Sequence, residues 1–135
     1  MITGGANGIG AAMVRAFHRQ GAQVYFCDLD AEAGAALAGE LGRGAMFQRV
    51  NLSSESDIRN WVKNTARREG TIGVLINNAA IDPRLPLQKS TVSFWDRLFA
   101  TNLRAGFLTA REAAPRMEAG ASIINFASIT SICRR

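Results

Sequence analysis

Two apolar rhythms alternate along the chain. Short unbroken runs read as strands: Val24-Tyr25-Phe26-Cys27, Ile72-Gly73-Val74-Leu75-Ile76 and Ser122-Ile123-Ile124-Asn125-Phe126. The first stops at Asp28 and has the look of a strand buried on both faces, as in a parallel sheet. Ala45 to Val50 predicts a weaker strand, and Met1-Ile2-Thr3 a very short one. Between these runs the apolar positions recur at helical spacing. One helix is predicted over 10–20, with Ala11, Val14 and Phe17 on one face and Gly21 as its stop. A second covers 30–38, capped by Asp30 and ended by Gly42 and Gly44. A third runs from Ser53 or Ser54 to about Glu69 and carries Ile58, Trp61, Val62 and Thr65. A long fourth helix covers 91–117, with Phe94, Trp95, Leu98, Phe99, Leu103, Phe107 and Leu108 along it and Pro115 in its last turn. Strand and helix alternate throughout, which predicts an α/β class with a parallel sheet and right-handed crossovers.

The stretch between the first strand and the first helix is Thr3-Gly4-Gly5-Ala6-Asn7-Gly8-Ile9-Gly10. Glycines let the backbone turn sharply and let another group approach it closely. The helix that follows points unpaired N–H groups and the positive end of its dipole at the turn, which suits a dinucleotide pyrophosphate. A tight strand-to-helix loop without a ligand is the alternative.

In an open parallel sheet, ligands bind at the carboxyl ends of the strands, where strand order reverses. Those ends carry Gly4 to Gly10, then Asp28, then Asn51-Leu52, then Asn77-Asn78-Ala79-Ala80, then Ala127-Ser128. All are polar or small where an apolar run stops. Asp28 follows the glycine turn by about twenty residues, where a carboxylate accepts hydrogen bonds from ribose hydroxyls and repels a 2′-phosphate. No Arg or Lys lies in the turn or directly after Asp28. NAD is therefore expected rather than NADP. Capping of the next helix is the other role open to Asp28, although Asp30 can serve there.

The chain has 135 residues, 47% hydrophobic and 20% charged, enough for one domain with a core. No apolar run reaches the length of a membrane span, and the start has neither a basic nor a long apolar segment, so no membrane or secretory signal is expected. Cys27 and Cys133 show neither metal spacing nor a disulfide framework, which fits a cytoplasmic protein without metal. The net charge of +5 raises the question of nucleic acid. Its basic residues are spread along helices, so solvated faces account for them and no nucleic-acid partner is expected. His18, the only histidine, sits on a helix leading away from the glycine turn and is expected to be structural or exposed.

The order of these motifs resembles the short-chain dehydrogenases/reductases. Thr3 to Gly10 is similar to that family's Thr-Gly-x-x-x-Gly-x-Gly cofactor motif, and Asn77-Asn78-Ala79-Ala80 to its Asn-Asn-Ala-Gly. Thr101-Asn102-Leu103 resembles the stretch with its catalytic asparagine, and Ser122 to Ser128 the strand ending in its catalytic serine. The resemblance implies a Rossmann-type doubly wound sheet of about five strands, as a single partial dinucleotide-binding domain over 1–135. It implies hydride transfer between a nicotinamide cofactor and a small alcohol or carbonyl. Ser128 would hydrogen-bond the substrate oxygen, and Asn102 would help hold a water in a proton relay. Gly4, Asn7, Gly8, Ile9, Gly10, Asp28, Asn51, Leu52, Asn78, Ala79 and Ala80 would bind the cofactor, with Asn77 supporting the sheet beside it. The long helix would offer a face for a homo-oligomer.

Three departures stand against the family pattern. Ala80 replaces a glycine, and Asn51 stands where an aspartate is frequent. The family's Tyr-x-x-x-Lys would fall just after Arg135. The only tyrosine is Tyr25, and the only lysines are Lys63 and Lys89. The sheet is thus expected to be incomplete at both ends and the polypeptide to have little activity alone. A non-catalytic nucleotide-binding or interaction fragment is the competing expectation. A methyltransferase is disfavoured by the Asn-Asn-Ala stretch and Ser128, and a P-loop nucleotidase by the lack of Gly-Lys-Ser/Thr after the turn.

Overall fold

A computed structural model describes residues 1–83 and 85–128. Five parallel strands form one sheet in the order β3-β2-β1-β4-β5. They are β1 (Ile2–Thr3), β2 (Val24–Asp28), β3 (Ala45–Arg49), β4 (Val74–Asn77) and β5 (Ser122–Asn125). The connecting helices are α1 (Gly8–Arg19), α2 (Ala31–Leu41), α3 (Glu55–Glu69), α4 (Val92–Phe99) and α5 (Ala105–Ala113). The chain builds outward from β1 to β3, then crosses to the other side of β1 for β4 and β5. Strand order therefore reverses between β1 and β4, and a crevice is expected above their carboxyl ends.

The period of two along the strands divides the core between the faces of the sheet. Val24, Phe26, Ile2 and Ile76 pack with Val14 of α1 and Leu37 of α2. Cys27 and Leu75 point the other way, onto Ile58, Trp61 and Val62 of α3 and Leu108 of α5. Phe26 is fully buried, with its ring 5.4 Å from that of Phe47. Burying a side chain of this size contributes about 1.5–3 kcal/mol relative to leaving it in water.

Side-chain caps fix the helix starts. Asp30 accepts from the Ala33 amide, Ser54 from Asp57 and Thr91 from Phe94. Asp30, not Asp28, is thus the cap of α2, and Ser54, not Ser53, the cap of α3. The single long helix expected over 91–117 is interrupted. Its middle, Ala100–Arg104, is a π-helical turn, and Ala114–Arg116, with Pro115, closes it as a 3-10 turn. π turns are rare and concentrate at functional sites. The helix carries an exposed apolar stripe of Val92, Trp95, Phe99, Leu103 and Phe107, with the Trp95 and Phe99 rings stacked at 4.4 Å.

Among the described residues β5 pairs only with β4, and Ile123, Ile124 and Phe126 are exposed, as expected for an apolar strand at a sheet edge. His18 lies on the surface, its Nε2 3.0 Å from the Arg43 carbonyl oxygen. Among the described residues no helix is long and apolar enough to cross a membrane, and no cluster of His, Cys, Asp and Glu could hold a metal.

Candidate nucleotide-binding and catalytic cleft

The glycine turn is packed directly against the end of β4. Gly4 has φ 64°, and a Cβ there would lie 2.8 Å from the Ala79 Cα. A Cβ at Gly10 would collide with the Gly4 carbonyl and come within 2.9 Å of Asn78 Nδ2. Only glycine allows α1 to start this close to the turn.

Hydrogen bonds from Asn78 lock the two elements together. Its Nδ2 donates to the Thr3 and Gly4 carbonyls, each at 3.1 Å. The Thr3 hydroxyl, on a buried residue, accepts from the Asn78 and Ala79 amides at 3.0 and 3.1 Å. Thr3 therefore replaces the ladder partners that β4 lacks as it leaves the sheet.

The start of α1 differs from its neighbours. Asn7 occupies the N-cap position but makes no cap. Its Nδ2 turns away and donates to Asp30 Oδ2 at 3.0 Å. The amides of the first turn, which have no partner inside a helix, belong to Gly8, Ile9 and Gly10, which line the crevice. That bond and the Ala33 amide hold the Asp30 carboxyl below its usual range, with the amide the larger cause.

Asp28 joins the second strand to this turn. Its Oδ2 accepts from the Ala6 amide at 3.1 Å, and its Oδ1 from Leu29 and Asp30 at 2.8 and 3.2 Å. The carboxylate thus points to the glycine turn and is half-buried there. Beneath it, burial and then the Asp28 charge push the Cys27 thiol far above its usual range, which disfavours the thiolate.

All eleven residues expected to bind cofactor line one cleft of about 710 Å3: Gly4, Asn7, Gly8, Ile9, Gly10, Asp28, Asn51, Leu52, Asn78, Ala79 and Ala80. Leu29, Val50, Ser53, Ile81, Arg97 and Thr101 complete its wall, and no pattern along the chain marks them. Asn51 folds its Oδ1 back onto Ser53, accepting from the amide at 3.0 Å and the hydroxyl at 2.7 Å.

A second hollow of about 820 Å3 adjoins the cleft and contains both Asn102 and Ser128. The two share Leu52, Ala79, Ala80, Ile81 and Thr101 as a common wall. Asn102 sits in the π turn. Its Oδ1 accepts from the Ile81 amide at 2.8 Å and its Nδ2 donates to the Ile81 carbonyl at 2.9 Å. Both ends of the side chain are used to hold the segment that leaves β4. Asn77 is tied to both neighbours, donating to Asn125 Oδ1 at 2.9 Å and to the Gly106 carbonyl at 3.3 Å. Its Oδ1 accepts from the Thr109 hydroxyl at 2.7 Å.

Tyr25 lies elsewhere. It lines a cavity of about 280 Å3 with Met1 and Glu69, and its hydroxyl donates to Glu69 Oε1 at 2.6 Å. Burial, then the Glu69 contact, raise its pKa. It is near the amino end of β2, whereas the cleft is at the carboxyl ends.

Known proteins share this fold. The model of the short chain dehydrogenase family matches residues 1–134. A probable galactose dehydrogenase of Rhizobium meliloti (strain 1021) is 40% identical over 96% of this chain and 53% of its own length. The 3-beta-hydroxysteroid dehydrogenase of Comamonas testosteroni is 38% identical over 97% of this chain and 52% of its own. The chain spans about half the length of these curated relatives. Among solved structures, a glucose/ribitol dehydrogenase of the short-chain dehydrogenase/reductase type from Brucella melitensis superposes with TM-score 0.92 at 30% identity, over 97% of this chain and 57% of that one. A blue fluorescent protein from a metagenomic library, in complex with NADPH, gives TM-score 0.88 at 34% identity, over 94% of this chain and 54% of that one.

Proposed function

The chain belongs to the short-chain dehydrogenase family, and on that premise we propose that it forms the nucleotide-binding part of an NAD-dependent alcohol or carbonyl oxidoreductase. The uncapped first turn of α1 carries this reading. Asn7 leaves those amides open, and the missing side chains at Gly4 and Gly10 leave space in front of them. Three or more N–H groups converging at the positive end of a helix dipole suit a pyrophosphate. Asp28 stands where the adjoining ribose would lie, with two of its oxygen positions already fixed by backbone amides and lone pairs left for ribose hydroxyls. Its charge favours NAD over NADP.

When bound, the nicotinamide accepts or donates the hydride, and the chain's part is to position and to move the accompanying proton. Ser128 is the residue for the substrate oxygen. Asn102, at the centre of the π turn, is the residue for the proton relay, and its grip on Ile81 keeps the wall between the two hollows in place. The substrate class is a small alcohol or carbonyl compound. The stripe on α4 and α5 is the proposed face for a second copy of the chain, and a cytoplasmic location fits the whole. Neither nucleic acid nor membrane is a partner in this reading.

The competing reading is a nucleotide-binding unit without chemistry of its own. One observation favours it for these 135 residues: the sole tyrosine is engaged with Glu69 at the far end of the sheet. Loss of a general acid/base costs on the order of 10²–10⁴-fold in rate. The 135-residue polypeptide is therefore proposed to bind nucleotide and turn over slowly, if at all. Calorimetric titration of NAD into the chain and into Gly10→Val tests the reading. Saturable binding lost in the variant supports it, and equal heats in both would refute it.

A further inference from the structure

Arg49 lies 21 positions after Asp28 in the sequence and is its direct partner in the β2–β3 register. Paired positions on neighbouring strands send their side chains to the same face of the sheet. Arg49 is exposed, and its Nε donates to the Leu29 carbonyl at 3.3 Å. Leu29 is the residue directly after Asp28 and lines the nucleotide cleft. The bond at Nε leaves the fork of terminal nitrogens beyond it. Among the described residues Arg49 forms no ion pair, unlike Arg15, Arg59 and Arg111, which are held by carboxylates. At this edge of the cleft the Asp28 carboxylate lines the wall, and one guanidinium without an ion pair is tethered beside it through Leu29.

We propose that Arg49 sets how strongly the cleft discriminates against a 2′-phosphate, by presenting its guanidinium to the phosphate that Asp28 repels. The inference rests on the cleft being a dinucleotide site. A guanidinium fork matches a phosphate in geometry and gives strong, charge-assisted hydrogen bonds. Tethering at Nε lowers the entropy lost when the fork engages. NAD carries a hydroxyl at that position and gains little from the fork. The chain thus prefers NAD through Asp28 but retains measurable affinity for NADP through Arg49.

Binding of NAD and of NADP to the 135-residue chain, measured separately by calorimetry, tests this. Arg49→Gln is expected to weaken NADP about tenfold while NAD stays within about twofold, as for loss of one charge-assisted contact. Arg49→Lys keeps the charge and should recover part of the loss. Arg97→Gln, at the guanidinium that itself lines the cleft, should leave the NADP/NAD ratio unchanged. An unchanged ratio in Arg49→Gln, an equal loss of both nucleotides, or a ratio that follows Arg97 instead would overturn the proposal. If wild type binds neither nucleotide, the dinucleotide reading fails first and the proposal falls with it. Circular dichroism confirms that each variant is folded, and Arg49→Lys serves as the deciding comparison with wild type should the glutamine variant unfold.

Discussion

The Asp28 carboxylate accepts a hydrogen bond from the Ala6 amide at 3.1 Å, across 22 positions of sequence. One charged oxygen thereby fixes the glycine turn relative to the end of β2. The same group is proposed to meet the ribose, so structure and binding share it. Asp28→Ala should weaken NAD at least tenfold, because both a ribose contact and the shape of the turn are lost. Unchanged NAD affinity by calorimetry would remove the ribose assignment.

Thr3 does its work from a buried position. Its hydroxyl serves the Asn78 and Ala79 amides where no strand partner is available. Thr3→Val keeps the volume and removes the acceptor, stranding two N–H groups. A loss of about 1–3 kcal/mol is expected from urea denaturation. Thr109→Val should act in the same direction through Asn77. A change within about 0.5 kcal/mol at Thr3 would show that the amides find other partners.

Exposed apolar side chains at Trp95, Phe99, Leu103 and Phe107 run along one side of the interrupted helix. A patch of this kind marks an interaction site or an aggregation hazard. Phe99→Glu with Leu103→Glu should shift sedimentation toward the monomer and leave NAD affinity unchanged, since neither residue lines the nucleotide cleft. Sedimentation identical to wild type would place self-association elsewhere.

In the 135-residue polypeptide the Met1 amine donates to the Val74 carbonyl at 2.6 Å, and its pKa is pushed down to about 6 by burial, with Cys27 opposing. The ordinary value for this group is 8.0. A base whose pKa falls on folding is disfavoured in its charged form. The unfolded chain therefore binds more protons between these two values, and stability rises with pH across that window. From pH 8 down to pH 6 the chain should lose about 2 kcal/mol, one to two pH units' worth at 1.36 kcal/mol each. N-terminal acetylation should abolish the slope. Denaturation midpoints that do not respond to pH in the unmodified chain would contradict the buried amine.

Local pattern alone determined much of this protein. Unbroken apolar runs marked β2 and β4, because a strand covered on both faces needs apolar residues at each position, and an equally apolar run marked β5, which lies exposed at the edge. The residues at which those runs stop are the ones that line the cleft, because a parallel sheet brings all its carboxyl ends to one side. The glycine turn and Asp28 were legible for the same reason.

What the tertiary structure decided is which residues meet across long stretches of chain. Thr3 reads as the last residue of a short strand, and only the placement of β4 beside β1 gives its hydroxyl two amides to serve. Arg49 belongs to a weak strand, and only the β2–β3 register sets it beside Asp28. The sequence rule that looked for a cation next to Asp28 along the chain could not find one that lies next to it in space. Nor does helical spacing distinguish a π turn from regular helix, so the interruption around Asn102 emerged only once Ile81 was there to bind it. Side-chain periodicity is a one-dimensional property of the backbone, while partners are chosen by strand order. In the order β3-β2-β1-β4-β5 the contacts that tie the elements of the site together join residues twenty or more positions apart.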